Sequence, residues 1–289
     1  MHRFGFSAIC CLALGAQAQE IPQWQIDAGG KMAFEVASIH QTKPGEFTPP
    51  NFPLDSGDAY RGHKGGHFSA DFPLSIYINF AYKLALAPEQ RQALFAHLPK
   101  WISTDNFDIQ ANAAGNPTKD QMRLMTQSLL ADRFGLKIHF ETQQVSVLAL
   151  TPIKPGKLGP SLKPHAEGPA CDAAPDPSVF PGECDVVALL RTPDGKNRFG
   201  SRNTTLPLIA GAITGLAQLG RPLIDGTGLT GHFDFQLEWV PESPGGAPSD
   251  VPAPGFIDAL REQLGLKLES AKAAMQIPVI DSVERPSEN

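Results

Sequence analysis

Two cysteines are the residues of this chain whose spacing points most directly to chemistry. Cys171 and Cys184 are 13 positions apart, and the segment between them is rich in Pro and polar residues. In an oxidising compartment an isolated pair forms a disulfide, and closing such a loop stabilises a fold by roughly 3 kcal/mol on the chain-entropy model. A metal pair or a redox centre is the alternative, although the sequence has neither Cys-x-x-Cys spacing nor a nearby pattern of His.

His63 and His67 form a second pair of potential ligands, four positions apart in a Gly-rich stretch. That spacing converges on a metal ion when it falls on a helix. Because the glycines between the two side chains disfavour a helix, the sequence favours a flexible loop. No third ligand is in view, so we predict no metal site and keep His63 and His67 only as candidate ligand-binding residues.

The carboxylates next to glycine or on predicted strands are candidate catalytic groups. Asp225-Gly-Thr-Gly228 invites comparison with aspartic proteases, in which two similar halves each supply one Asp. The corresponding stretch of the first half, residues 101–106, has no Gly after an Asp, so we interpret residues 225–228 as a turn with glycines at positive φ. Asp108 and Asp234 occupy equivalent positions of two alternating strands, which favours solvated carboxylates over an acid pair.

Trp101 and Asp225 remain candidate ligand-binding residues, although a Trp beside a core strand more often packs. The sequence contains no Gly-x-Ser-x-Gly elbow, His-Glu-x-x-His helix or Gly-x-x-x-x-Gly-Lys phosphate loop. We therefore assign no catalytic residue, no cofactor and no metal ligand. The chain has 24 Lys and Arg against 30 Asp and Glu, and this acidic balance argues against nucleic acid as a partner.

The N-terminus has the pattern of a secretory signal peptide. A basic start at His2 and Arg3 precedes an apolar run over residues 4–16, and Ala16-Gln17-Ala18 supplies the small-residue cleavage pattern. The run is too short to span a bilayer comfortably, and the later apolar stretches are broken by Gly, Pro or charge. We expect residues 1–18 to be removed and the protein to be exported, either to the periplasm or out of the cell, with no transmembrane segment.

Two short stretches recur in the same order. Residues 107–111 resemble residues 233–237, and residues 134–138 resemble residues 264–268, at offsets of 126 and 130. The consistent offset predicts an internal duplication. We expect a first repeat over residues 19–151, a Pro-rich, disulfide-stapled connector over 152–183 and a second repeat over 184–289.

Each half has the pattern strand, helix, strand, helix, strand, strand. Apolar residues recur at helical spacing from Leu74 and from Leu206, and Thr118 with Gln121 forms a capping box. Each half is expected to end in a hairpin, and because Pro278 cannot donate to a ladder, the last strand is expected either to be an edge there or to begin after Pro278. The predicted fold class is α+β, with two tandem units, each a mixed sheet with two packed helices.

Five ordered motifs carry a resemblance to a known family: Phe34 to Ile39, Ala81-Tyr82, Leu129 to Leu136, Asp225 to Phe235, and Val279 to Asn289. Together they resemble a soil-associated bacterial family of paralogues built on a domain of unknown function. The resemblance implies an exported protein, often present in many copies per genome, with related domains sometimes attached to a membrane metalloprotease-type sensor. It implies no catalytic residues. The linker over residues 85–98 is longer than the resemblance leads us to expect.

Two classes of function follow. We expect a non-enzymatic binding or interaction module that presents loops or sheet edges to an envelope protein, a peptide or a glycan. The alternative is an extracellular hydrolase. A shared pocket that contained Asp108, Asp225, Asp234, His63 and His67 would favour the enzyme, whereas an exposed groove or edge would favour the binding module.

Overall fold

A computed structural model describes residues 21–43, 45–55, 65–84, 86–171, 178–216, 219–241 and 254–286. The fold is α+β, as the sequence predicts. The helices are Gln23–Asp27 (α1), Leu74–Ala81 (α2), Pro88–Phe95 (α3), Trp101–Thr104 (α4), Lys119–Phe134 (α5), Leu206–Leu216 (α6) and Phe256–Ala259 (α7). The strands are Val36–Gln41 (β1), His67–Pro73 (β2), Asn106–Asn112 (β3), Lys137–Pro152 (β4), Leu162–Pro164 (β5), Val187–Arg191 (β6), Asn197–Thr204 (β7), Leu223–Asp225 (β8), Phe233–Trp239 (β9) and Leu266–Ser282 (β10).

The first sheet is antiparallel, with strand order β1-β3-β2. Its central strand alternates as the sequence predicts: Phe107, Ile109 and Ala111 are buried, while the residues between them are only partly buried. Helices α2 and α5 pack together on the apolar face and contribute Tyr77, Phe80 and Met122 to the core. Complete burial of a large apolar side chain stabilises a fold by roughly 1.5–3 kcal/mol.

Helix α5 begins and ends where local chemistry requires. The Thr118 hydroxyl accepts the N–H of Gln121, and the Gln121 side chain accepts the N–H of Thr118, which confirms the predicted capping box. Gly135 ends the helix in the left-handed conformation at φ 56°, where a side chain would be strained. Gly265 ends the short π-helical turn after α7 in the same way, at φ 70°.

A second core lies on the four-stranded antiparallel sheet, whose order is β5-β9-β7-β6. Strand β9 alternates between fully and partly buried residues, as β3 does. Helix α6 and the turn after α7 cover this sheet. Strand β5 lies within the expected connector, and α3 lies within the long linker over residues 85–98.

Two long strands join the cores. Strand β4 pairs antiparallel with β10 over nearly their whole lengths, from Lys137↔Ser282 to Pro152↔Leu266, and β8 pairs parallel with the other side of β4. The two hairpins expected within these segments are therefore wrong. Residues 142–144 and 271–274 contain no Gly, Pro, Asn or Asp to form a turn, so each chain continues straight.

The strands β4 and β10 each contribute to both cores. Residues at one end of the pair pack in the first core and residues at the other end pack in the second. Strand β10 contains Pro278 and lies at the edge of its sheet, which is the first of the two alternatives expected from this proline. Of the helices in the described ranges, none is both long and apolar enough to cross a bilayer.

Candidate functional site

A groove lies between the edge strand β1 and helix α5. Strand β1 pairs with β3 on one side, and its first two residues, Val36 and Ala37, line the groove together with the segment that precedes the strand. The cavity measures about 370 Å³, and its walls are formed by residues 33–37 and by one face of α5. Such a volume is at the lower end of the range of small-ligand sites, roughly 300–1,000 Å³, and it can hold one or two side chains of a bound segment.

The buried residues that line the groove are mostly apolar, and the exposed residues that form its rim are mostly charged. Met125 and Leu129 of α5 are buried, and Phe34 is half-buried. Glu35, Val36, Asp132 and Arg133 are exposed around them, and Val36 is 62% exposed although it is aliphatic. This combination is suited to an apolar side chain flanked by polar contacts.

Both walls hold their positions through contacts of the chain itself. The Ser128 hydroxyl donates to the carbonyl of Met32 at 2.5 Å, which ties the segment before β1 to α5. Lys83 lies 5.6 Å from the ring of Trp24 in a cation–π contact, and α1 also contacts α5. The groove is therefore preformed.

A second cluster surrounds the disulfide. Cys171 and Cys184 are bonded, with Cα atoms 5.5 Å apart. His165 begins a 3₁₀ turn directly after β5, and its Nε2 lies 3.4 Å from the Sγ of Cys171. The Nδ1 of the same ring lies 2.6 Å from Oδ1 of Asp234, the second residue of β9. The sequence shows no His pattern of a metal site beside the cysteines, but the fold places His165 next to them.

Arg202 holds the two segments that carry the cysteines. Its guanidinium donates to the carbonyl oxygens of Pro169, Ala170 and Gly182, the last at 3.2 Å. The side chain is 5% exposed, and its Nε lies 3.9 Å from Oδ2 of Asp234. Because Ala170 precedes Cys171 and Gly182 lies two residues before Cys184, Arg202 bridges the two segments that carry the cysteines.

The carboxylates Asp108 and Asp234 lie in different sheets and form no pair. Asp108 accepts hydrogen bonds from the Thr48 hydroxyl at 3.0 Å and the Gln110 amide at 2.6 Å. Asp71, directly opposite Asp108 on β2, is buried and accepts from the Thr42 hydroxyl at 2.5 Å and from the backbone N–H of Thr48 at 3.1 Å. The two carboxylates fasten Thr42 and Thr48 to the sheet. The interpretation of Asp108 and Asp234 as solvated carboxylates is wrong.

The other candidate ligand-binding residues lie apart from one another. Trp101 packs against Phe107 with ring centroids 5.9 Å apart, and the Arg285 guanidinium lies 5.0 Å from the Trp101 ring. Asp225 accepts the N–H and the hydroxyl of Thr227 at 2.9 and 2.7 Å, the geometry of a local turn.

His67 is exposed at the start of β2, and its Nδ1 lies 3.1 Å from the side-chain oxygen of Asn112. His63 lies outside the described residues. None of Asp108, Asp225, Asp234 and His67 lines the groove.

Sequence reasoning missed His165 and Arg202. His165 lies six residues before Cys171 in a Pro-rich stretch that has no helical or strand pattern. The available signal was the spacing of His165 from Cys171, together with Asp234 on the polar face of a strand. Arg202 had no such signal, because its acceptors are backbone carbonyls that are distant in sequence.

The comparisons with known proteins give a family and no function. No curated protein matches the chain, and no solved structure matches it. A family model described as a protein of unknown function, DUF3738, matches residues 75–283. This match covers most of the chain, from the second residue of α2 to the residue after β10, while β1 and β2 of the first sheet lie before it. The chain therefore belongs to the DUF3738 family of proteins of unknown function.

Proposed function

We propose that the protein is an exported binding module that accepts an extended peptide segment of an envelope protein along the outer side of β1. The groove between β1 and α5 is the observation that carries this proposal. An extended peptide that adds a strand to a sheet edge gains affinity from main-chain hydrogen bonds, and it gains specificity from alternate side chains that enter neighbouring cavities. The unpaired edge of β1 supplies main-chain groups for these hydrogen bonds, and the groove supplies a cavity for a side chain.

The backbone of β1 is oriented for strand addition. Thr42 donates its N–H to the carbonyl of Asn106 at 3.0 Å. Because antiparallel hydrogen bonds alternate along a strand, the N–H and C=O of Ala37 are directed away from β3, toward the groove side. The opposite edge of this sheet differs, because Asn51 donates to the carbonyl of Ser69 and also accepts its N–H, which covers β2.

The side chains around the groove indicate the chemistry of the bound segment. One apolar side chain of the added strand would contact Met125, Leu129 and Phe34. The exposed carboxylates of Glu35 and Asp132 favour a basic side chain two positions away, since alternate residues of a strand point to the same face. We propose an extended segment with an apolar residue and a Lys or Arg at that spacing.

Export rests on the N-terminal sequence pattern, and the place of the protein in a soil-associated family of paralogues rests on the five motifs given above. Many paralogues with one groove architecture would allow each copy to accept a different segment through changes in the rim residues. The mass of the mature protein from a periplasmic or culture fraction tests export. Cleavage after Ala18 is expected, and full-length protein confined to the cytosol would contradict it.

Duplication of an ancestral unit is part of the same proposal. The pairing Phe68↔Ala111 of the first sheet has a counterpart in Phe199↔Leu237 of the second, and in each case the first of the two paired strands, β2 or β7, leads into an apolar helix. Relatives whose sequences align residues 107–138 with residues 233–268 would support a duplication. Relatives in which this match disappears would contradict it.

The binding experiment uses a photo-crosslinking amino acid at Ala33, an exposed residue of the groove wall, in cells that express the full chain. Mass spectrometry identifies the crosslinked segment, which is then synthesised and titrated against the purified protein. Ala37→Pro removes the outward N–H without removing a bond to β3, and an edge strand tolerates proline. We expect this variant to bind the peptide at least tenfold more weakly.

Val187→Pro is the matched control, because Val187 has the equivalent outward orientation on the edge strand β6. Thr192 donates its N–H to the carbonyl of Lys196. Because the hydrogen bonds between antiparallel strands alternate along each strand, the N–H of Val187, five residues earlier, is directed away from β7. This variant should bind the peptide as the unmodified protein does. Equal affinities for both proline variants, or crosslinks only to folded surfaces without an extended segment, would overturn the proposal.

A further inference from the structure

We infer that His165, Cys171 and Cys184 form a zinc-binding site when the disulfide is reduced. The ligand atoms of the three residues lie within 4.8 Å of one another. Thiolate and imidazole are the usual ligands of protein zinc sites, and a site with three protein ligands leaves a fourth position for water. This inference concerns a part of the molecule separate from the β1 groove and does not depend on the proposed function.

The orientation of His165 is that of a metal ligand. A carboxylate only accepts hydrogen bonds, so the 2.6 Å contact to Asp234 places the ring proton on Nδ1. The lone pair of Nε2 then faces Cys171. Metal-binding histidines donate their other ring N–H to a carboxylate or a carbonyl, which fixes the tautomer and the ring orientation. In this protein Asp234 is the carboxylate that accepts the Nδ1–H of His165, and Asp234 also accepts the N–H of Asn203 at 2.9 Å.

The distances fit tetrahedral zinc. Zn–N bonds of about 2.0–2.1 Å and Zn–S bonds of about 2.3 Å place a nitrogen and a sulfur ligand roughly 3.5 Å apart, and two sulfur ligands about 3.8 Å apart. Nε2 of His165 already lies 3.4 Å from Sγ of Cys171. The Cα separation of 5.5 Å between the cysteines allows the two sulfurs to reach the required spacing by side-chain rotation alone.

The site stays assembled when the disulfide opens, because other contacts hold its parts. Arg202 bonds the backbone before both cysteines, and the backbone N–H of His165 donates to the carbonyl of His232 at 2.9 Å. Preorganised ligands lose little conformational entropy on binding, so a reduced pair held in this way binds a metal more tightly than two free thiols would.

Reduction precedes metal binding. A dithiol reductant breaks the bond between Cys171 and Cys184, supplies two electrons and two protons, and becomes a disulfide itself. Zinc then binds the two sulfurs as thiolates and the His165 lone pair, and two protons are released to solvent. The disulfide and the zinc site are alternatives, and the oxidised protein lacks the thiolates.

Cobalt serves as the spectroscopic probe of the site. The full chain is reduced with a phosphine, freed of excess reductant without oxygen and titrated with Co²⁺. We expect one equivalent to bind, with the visible absorption of a tetrahedral ion and a thiolate-to-cobalt charge-transfer band, and one equivalent of Zn²⁺ should abolish both. The oxidised protein should show neither band.

Variants identify the nitrogen ligand. His165→Gln retains a donor for Asp234 and removes the metal-binding nitrogen, and it should weaken Co²⁺ binding at least tenfold with altered visible bands. Asp234→Asn should weaken binding about 10- to 100-fold by releasing the ring orientation. His139→Gln is the matched control, because His139 lies on β4 and contacts Asp281 instead of the cluster. It should bind cobalt normally.

Two results would overturn the inference. One is a reduced protein that is folded by circular dichroism and binds Co²⁺ without a charge-transfer band, or not at all. The other is an unchanged affinity and spectrum for His165→Gln, because the cysteines alone would then account for the binding.

Discussion

Gly168 and Asp234 approach so closely that a Cβ added to Gly168 would lie 2.3 Å from Oδ2 of Asp234. The Asp234 carboxylate cannot move away freely, because its other oxygen contacts His165 and the N–H of Asn203. The requirement for glycine at position 168 therefore arises from the contact that orients His165. The backbone conformation does not itself require glycine at this position, because φ of Gly168 is −99°, a value that any residue adopts.

We predict that Gly168→Ala destabilises the protein by about 1–3 kcal/mol, because a displaced Asp234 leaves polar groups without partners. Urea unfolding at neutral pH measures the change. Gly182→Ala is the matched control in the same disulfide-stapled region, since no described atom lies within 4 Å of the added Cβ. It should change the free energy of unfolding by less than about 0.5 kcal/mol. Equal effects of the two substitutions would contradict the close approach.

The hydroxyl of Tyr77 is buried beneath the first sheet. It lies 2.7 and 2.8 Å from the carbonyl oxygens of Ala70 and Phe107 and accepts the N–H of Phe72 at 3.3 Å. Burial raises the pKa of Tyr77 well above its usual range, so the phenol stays protonated and links β2 to β3. Tyr77→Phe should cost about 1–3 kcal/mol of unfolding free energy through the orphaned backbone groups.

Tyr82→Phe provides the comparison. Tyr82 is half-buried, and its hydroxyl makes no hydrogen bond within the described part of the chain, while burial raises its pKa to about 12. Loss of this hydroxyl should change stability by less than about 0.5 kcal/mol. If both tyrosine variants unfold at the same urea concentration as the unmodified protein, the Tyr77 hydroxyl does not link the strands.

Local chemistry was enough to predict α2, α5, α6 and the alternating strands β3 and β9, because their signals lie within a few residues. The capping box at Thr118 and the left-handed glycines at 135 and 265 are examples. Local chemistry missed α3 and β5 inside the expected linker and connector. The pairing of β4 with β10 was not predictable, because it joins segments about 130 positions apart and a strand does not encode its partner. The same limit applies to both candidate sites. The walls of the groove were predicted separately, as a strand and a helix, and only the fold places them side by side.

The disulfide stabilises the fold by restricting the conformations of the unfolded chain. Its removal by Cys171→Ala with Cys184→Ala should lower the free energy of unfolding by about 3 kcal/mol, because the 13-residue separation sets the loop-closure entropy. Measurement in the presence of a chelator separates this effect from metal binding. A phosphine reductant should destabilise the unmodified protein by a similar amount and leave the double variant unchanged. Sensitivity of the double variant to the reductant would contradict this account.

His139 and Asp281 connect β4 to β10 across the long strand pair, with His139 Nδ1 2.9 Å from a carboxylate oxygen. The hydrogen bond to Asp281 raises the pKa of His139 above its usual value of about 6.5, and Glu141 contributes less. A raised folded-state pKa adds stability that is complete below about pH 6.5 and is lost as the pH rises through the folded-state value. Both side chains are largely in water, so the effect on stability is small and salt-sensitive.

An NMR titration of the His139 ring measures this shift directly. Asp281→Asn should bring the His139 pKa down toward the usual value, and Glu141→Gln should lower it by a smaller amount. Added salt should reduce the difference between the unmodified protein and Asp281→Asn, because exposed charges are screened. If Asp281→Asn leaves the titration unchanged, the carboxylate does not hold the imidazolium, and the contact contributes nothing to the pairing of β4 with β10.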